Sequence, residues 1–123
     1  MIDAWTALEA YVDNVLECAL QKGGVSIADA KKLLDLRATY QPTTMRELVE
    51  RANIEAKVRA GLRRAFGLKL AEDSVFWDDF KKKQEIRNEA VHGGSSPKLK
   101  MSVETLNIVR HIVDKVEAVA GEC

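Results

Sequence analysis

The chain has 123 residues, the size of one domain. With 46% hydrophobic and 31% charged residues it holds enough apolar material for a core, which excludes a disordered or low-complexity chain. Uncharged apolar runs are only a few residues long, too short to span a membrane, and Met1-Ile2-Asp3-Ala4-Trp5 lacks the basic-then-apolar order of a secretory signal. Two cysteines, Cys18 and Cys123, stand far apart. They read as two lone thiols, one small and buried and one on a loose tail, in a reducing compartment, so a cytoplasmic location is expected. Two histidines and two cysteines in no metal-ligand spacing argue against a zinc site, and neither metal nor cofactor is expected.

Lys and Arg number 19 and Asp and Glu number 19, so the net charge is zero, but the charge is unevenly spread. Residues 1–56 carry 6 basic and 9 acidic side chains, residues 57–100 carry 11 and 6, and residues 101–123 carry 2 and 4. The basic middle hints at an anionic partner; a solvated helix face gives the same count.

In chain order, Trp5, Leu8, Val12, Val15, Leu16 and Ala19 recur at three- and four-residue spacing, one face of a long first helix that ends at Gly23-Gly24. Ser26 caps a short second helix presenting Ile27, Ala30, Leu33, Leu34 and Arg37, and Pro42 stops anything before it. Thr44-Met45-Arg46-Glu47 has capping-box spacing and opens a third helix carrying Leu48, Ala52, Val58, Leu62 and Phe66 to Gly67, with Gly61 a weak point inside it. Asp73 or Ser74 starts a fourth helix with Phe76, Phe80, Ala90 and Val91 as core candidates; Gly93-Gly94-Ser95-Ser96-Pro97 is a loop. Ser102 caps a fifth, lined on one side by Val103, Leu106, Val109, Val113 and Val116. No stretch alternates with period two. The expected fold is all-α: a single domain over 1–123, a helical bundle of four to five mostly antiparallel helices.

The chemistry concentrates in the fourth helix. Arg87-Asn88-x3-His92 puts a guanidinium, an amide and an imidazole near its end. Asn88 and His92, four apart, share a face, whereas Arg87 and His92 stand about 140° apart at 100° per residue. Convergence on one substrate is easier if a second copy faces the first across a two-fold axis. Imidazole moves protons near neutral pH, arginine grips phosphate through two parallel donors, and the amide orients one or the other. Without metal ligands, the phosphate chemistry open to such a set is attack by an RNA 2′-hydroxyl on the adjacent phosphate. The blander reading pairs Arg87 with Glu85 or Glu89 and makes His92 a helix-end residue capped by Gly93.

The segment resembles the signature of HEPN domains, small helical bundles with an arginine, a polar residue, three further residues and a histidine. Arg87, Asn88 and His92 match it without a gap, and an aromatic-rich helix before the motif, a glycine after it and a final amphipathic helix are similar too. The likeness is specific over about residues 74–120 and general over 1–73. It implies a metal-independent endoribonuclease with Arg87 and His92 as the catalytic pair and Asn88 orienting, a homodimer with a composite cleft, RNA as substrate, and an antitoxin or regulatory protein as further partner in toxin–antitoxin or phage-defence systems. Other members of that family have lost catalysis and serve as dimerisation, RNA-binding or protein-interaction modules, which is the second reading. A third makes the chain an isolated domain of a longer regulatory protein.

Lys81, Lys82 and Lys83 suit an RNA backbone, but three successive residues span 200° of helix and a solvated face reads the same. Gly93 and Gly94 offer backbone N–H groups to a phosphate, or simply cap the helix. Arg59 and Arg63 stand at helical spacing with Arg64 beside them, which a solvated face explains as well, and Trp77 suits base stacking, the core or a dimer interface. A DNA-reading helix-turn-helix over 26–66 is disfavoured because that segment as a whole is not basic enough.

Overall fold

The computed structural model describes residues 4–93, 99–121 and 123, and side chains at 4–88, 103–121 and 123. Among the described residues the chain is helical, with no strand. They form six helices: α1 (Ala4–Lys22), α2 (Ile27–Leu33), α3 (Met45–Arg51), α4 (residues 54–66), α5 (Ser74–Gly93) and α6 (Leu99–Glu117), with a 3-10 turn at Leu70–Glu72 before α5. α4 is composite: a turn of α-helix, a π-helical stretch Lys57–Gly61, then Leu62–Phe66.

The helix starts follow local chemistry. Ser26 accepts from the Asp29 N–H at 3.1 Å and Thr44 from the Glu47 N–H at 3.1 Å, each satisfying a donor that its own first turn cannot. Glu47 reaches back one residue further than a standard capping box, accepting from both the N–H and the hydroxyl of Thr43. Asp73, rather than Ser74, caps α5 through the Phe76 N–H. Gly24 and Gly67 end α1 and α4 in the left-handed conformation, φ +68° and +74°, where a side chain is strained.

The count of six corrects the expected four to five. The single third helix over residues 44–66 is broken at Ala52 and Asn53, both in extended backbone at ψ 149° and 140°. The cause is Asn53, whose Oδ1 accepts from the Glu55 N–H at 2.8 Å and restarts the helix. Ser102 does not cap the last helix, which already runs from Leu99. That helix turns only part of the expected face inward, with Val109 packed on the core and Val116 within it. Ile108, Ile112 and Val116 are buried, whereas Val103 and Leu106 are 55% and 41% exposed. The polar stretch at 94–98 and the side chains of Ala90 and Val91 lie outside the described residues.

α1 is the spine of two cores. Its first half, with Trp5, Leu8 and Val12, packs on α4, α5 and α6 through Val58, Leu62, Phe80 and Ile112. Its second half, Leu16 and Leu20, packs on α2 and α3 through Ala30, Leu34, Leu48 and Val49. Each fully buried aliphatic side chain contributes roughly 1.5–3 kcal/mol; Leu16→Ala, in the wall between the cores, would cost about 2–5 kcal/mol. Gly61 belongs to this packing: a Cβ there would stand 2.8 Å from Leu16 Cδ2 and 3.3 Å from Leu34 Cδ2.

The helices are not all antiparallel neighbours. Phe76 lies by His111 and Lys83 by Glu104, so α5 and α6 run in opposite directions. Tyr11 donates to Glu117 at 2.6 Å and Cys18 meets Cys123, so α1 and α6 run in the same direction. The cysteines are therefore neither lone nor on a loose tail. They form a disulfide with Cα atoms 5.9 Å apart across 105 residues of sequence. Parallel α1 and α6 bring the C-terminal residue beside the C-terminal part of α1.

Candidate functional site

α5 carries the motif, and its aromatic start fixes how it lies. Phe80 is fully buried against Trp5, with ring centroids 5.2 Å apart, and Trp77 stacks on Phe80 at 4.9 Å and 7°. Trp77 is thus a core residue and presents no face to a base. With Phe80 inward, the three lysines that follow divide as helix geometry requires. Lys81 and Lys82 are exposed. Lys83 turns inward and its Nζ binds Asp79 Oδ1 at 2.8 Å and Glu104 Oε2 at 3.0 Å. The hydrogen bond that Lys83 donates to Asp79, with burial opposing and the bond to Glu104 adding to it, holds the Lys83 ammonium above its ordinary pKa. The bond to Asp79 stays within α5, and the bond to Glu104 ties α5 to α6.

One turn on, Arg87 reaches to α1. Its Nη2 donates to Thr6 Oγ1 at 3.3 Å, and its Nη1 stands 3.9 Å from Glu9 Oε1, the outer limit of an ion pair. Arg87 Nε is buried without a hydrogen-bond partner. The guanidinium is therefore anchored by one edge, with donor capacity left over. Asn88 is exposed and lines a polar cleft of about 210 Å³ between α1, the start of α4 and α5. His92 lies one turn beyond Asn88 on the same helix, and Gly93 closes it. The side chain of His92 and the whole of Gly94 lie outside the described residues.

The cleft brings in groups that the sequence reading missed. Asp13 of α1 and Lys57 of α4 line it and pair with one another, their side chains 12% and 4% exposed. Lys57 opens the π-helical stretch, a form often found at functional sites. Gln84 donates to Asn53 Oδ1 at 3.2 Å across the cleft, fixing α5 to the restart of α4. Trp5 also lines it, 2% exposed, and its indole Nε1 has no hydrogen-bond partner. The signal for Asp13 was its place among Val12, Val15 and Leu16 on the apolar face; nothing local marked Lys57 as its partner, 44 residues away.

Asn88 thus lines the polar cleft and Arg87 is held against Thr6 and Glu9 of α1, whereas Lys83 is directed away from solvent. Among the described residues no three His, Cys, Asp or Glu side chains are grouped to hold a metal ion, and no helix is long and apolar enough to cross a membrane. No protein-family model, curated protein or solved structure matches the chain.

Proposed function

We propose that this protein is a metal-independent endoribonuclease of the HEPN type, acting as a homodimer in which two copies of the motif form one cleft. The observation that carries the reading is the uninterrupted Arg87-Asn88-x3-His92 run on the last turns of α5, with Arg87 braced against α1 and Asn88 at a polar cleft. In the proposed reaction the 2′-oxygen of RNA attacks the adjacent phosphorus and the bond from phosphorus to the 5′-oxygen breaks. His92 takes the 2′-hydroxyl proton, and its counterpart in the second copy gives a proton to the leaving 5′-oxygen. The products are a 2′,3′-cyclic phosphate and a 5′-hydroxyl. Arg87 stabilises the charge that grows on the phosphoryl oxygens, and Asn88 orients the imidazole. The outer surface next to the motif supports the dimer: Ile86, Val103 and Leu106 are left 37%, 55% and 41% exposed on α5 and α6.

The reading includes a toxin–antitoxin or phage-defence role, an antitoxin or regulatory protein as partner, and a cytoplasmic setting.

The test is wild type against His92→Ala and Arg87→Lys on end-labelled single-stranded RNA in EDTA, with end-group analysis. Cleavage by wild type with a cyclic phosphate is expected, falling about 10²–10⁴-fold in His92→Ala. Arg87→Lys, which keeps the charge and loses the fork, should fall about 10²-fold or more. Wild-type rates in His92→Ala would overturn the assignment. An inactive wild type would leave a binding module.

A further inference from the structure

Away from the motif, the α2–α3 connection and α4 enclose two adjoining depressions, of about 550 Å³ and 480 Å³, that share Arg59. Five exposed arginines line them, Arg37, Arg51, Arg59, Arg63 and Arg64, against two carboxylates, on a chain whose net charge is zero. One of those carboxylates, Asp35, pairs with Arg59 only at 3.6 Å and is 80% exposed, an ion pair too solvated to neutralise the arginine. Arg37, Arg63 and Arg64 make no ion pair among the described residues. The larger depression also holds Tyr40, with the Arg51 guanidinium 5.6 Å from its ring centre. Guanidiniums in this number bind phosphates, and an aromatic ring among them offers a platform for a base.

The larger depression continues toward the motif. Asn53 lines both it and the polar cleft that holds Asn88. We propose that this arginine-lined groove is a binding surface for single-stranded RNA, which it carries over Asn53 to the motif on α5. The choice of RNA rests on the ribonuclease reading above; the charge and the Tyr40 platform do not. The groove binds a strand rather than one nucleotide because its arginines extend from Arg37 to Arg64 across both depressions. Pairing of guanidinium with phosphate and stacking of ring on base make the binding tolerant of sequence and sensitive to salt.

The test is fluorescence anisotropy of a labelled 20-nucleotide RNA against salt concentration, in EDTA. The proteins are wild type, Arg59→Ala/Arg63→Ala/Arg64→Ala, Tyr40→Ala, His92→Ala and, as an arginine off the groove, Arg110→Ala. Each phosphate deprived of its arginine should lower the slope of log Kd on log salt by about 0.7, so the triple variant should fall by about 2 in slope and bind on the order of ten-fold more weakly. Tyr40→Ala should weaken binding by about five-fold or more with the slope kept. Arg110→Ala should bind as wild type does, and His92→Ala serves as a background in which the RNA stays uncut. Thermal melts check that each variant is folded, which exposed arginines with at most one solvated ion pair should allow. Binding and slope unchanged in the triple variant overturn the groove even if wild type cleaves RNA. Arginine-dependent binding without cleavage by any protein sustains the groove and sinks the ribonuclease reading. Association with phosphatidylserine vesicles and none with RNA overturns it in favour of a membrane surface.

Discussion

The pair of Asp13 and Lys57 offers the sharpest test of how the two cores are joined. Lys57 is 4% exposed at its side chain and Asp13 is its ion-pair partner, so Asp13→Ala strands an ammonium at the base of the cleft. Removing one member of a buried pair typically costs about 3–5 kcal/mol, because the remaining charge keeps its desolvation penalty. The cleft is open on one side and water can reach part of it, so about 3 kcal/mol is the expected loss here. Against a total stability of about 5–15 kcal/mol that is a large fraction. It corresponds to a fall in Tm of roughly 10–15 °C for a domain of this size. Lys57→Met should cost less, since the carboxylate it leaves is nearer the solvent. The double variant should recover much of the loss, a coupling of about 2 kcal/mol or more. Urea unfolding of the four proteins measures each of these energies, with unchanged denaturant slopes as the check that the compared states are the same. Single losses below about 1 kcal/mol that simply add in the double variant would refute the view that this pair is buried and mutually dependent.

Three further outcomes are expected. Gly61→Ala should destabilise by about 1–3 kcal/mol although alanine is the better helix former by about 1 kcal/mol, because its methyl meets Leu16 Cδ2 at 2.8 Å; a stabilised variant in urea unfolding would show that the packing yields. Reduction should lower Tm, since the disulfide closes 105 residues and restrains the unfolded chain by up to about 4.7 kcal/mol; Cys18→Ser should melt alike with and without reductant, and an unmoved wild type would refute the effect. Stability should fall on the alkaline side. Burial and the bond to Glu117 raise the pKa of Tyr11, and the bond to Asp79 raises that of Lys83. A group with a raised folded pKa contributes fully below its unfolded value, here about 10 or just above, and loses that contribution as pH climbs through the folded one. Melts should hold level from pH 7 to about 9.5 and drop above about 10, less steeply in Tyr11→Phe; a flat profile to about pH 11.5 would contradict it.

Helix ends were legible along the chain because their chemistry is local. A side-chain oxygen three residues before the N–H it accepts from, or a glycine that can turn left-handed, acts through its neighbours alone; Ser26, Thr44, Asp73, Gly24 and Gly67 all behave in that way. So was the apolar face of α1 and the all-helical class. The break at Ala52 and Asn53 was nearly readable, since Asn53 is itself a local cap; its apolar neighbours Leu48 and Val58 masked it by continuing the spacing on either side.

What the sequence determined by itself, then, is where most helices begin and end, though not the start of α4 or of α6, and that an arginine, an amide and a histidine ride one helix. The tertiary structure alone decided which faces meet. The last helix carries apolar residues on more than one side, and Ile108 and Ile112 were chosen over Val103 and Leu106 only by packing against α1 and α5. Lys83 became an inward strut, Asp13 found Lys57, Cys18 found Cys123, and Asn53 came to join two grooves, each through partners 21 to 105 residues apart or by the roll of a whole helix. Spacing along a chain specifies a stripe, but a charge or a thiol has no partner until the helices have closed around it.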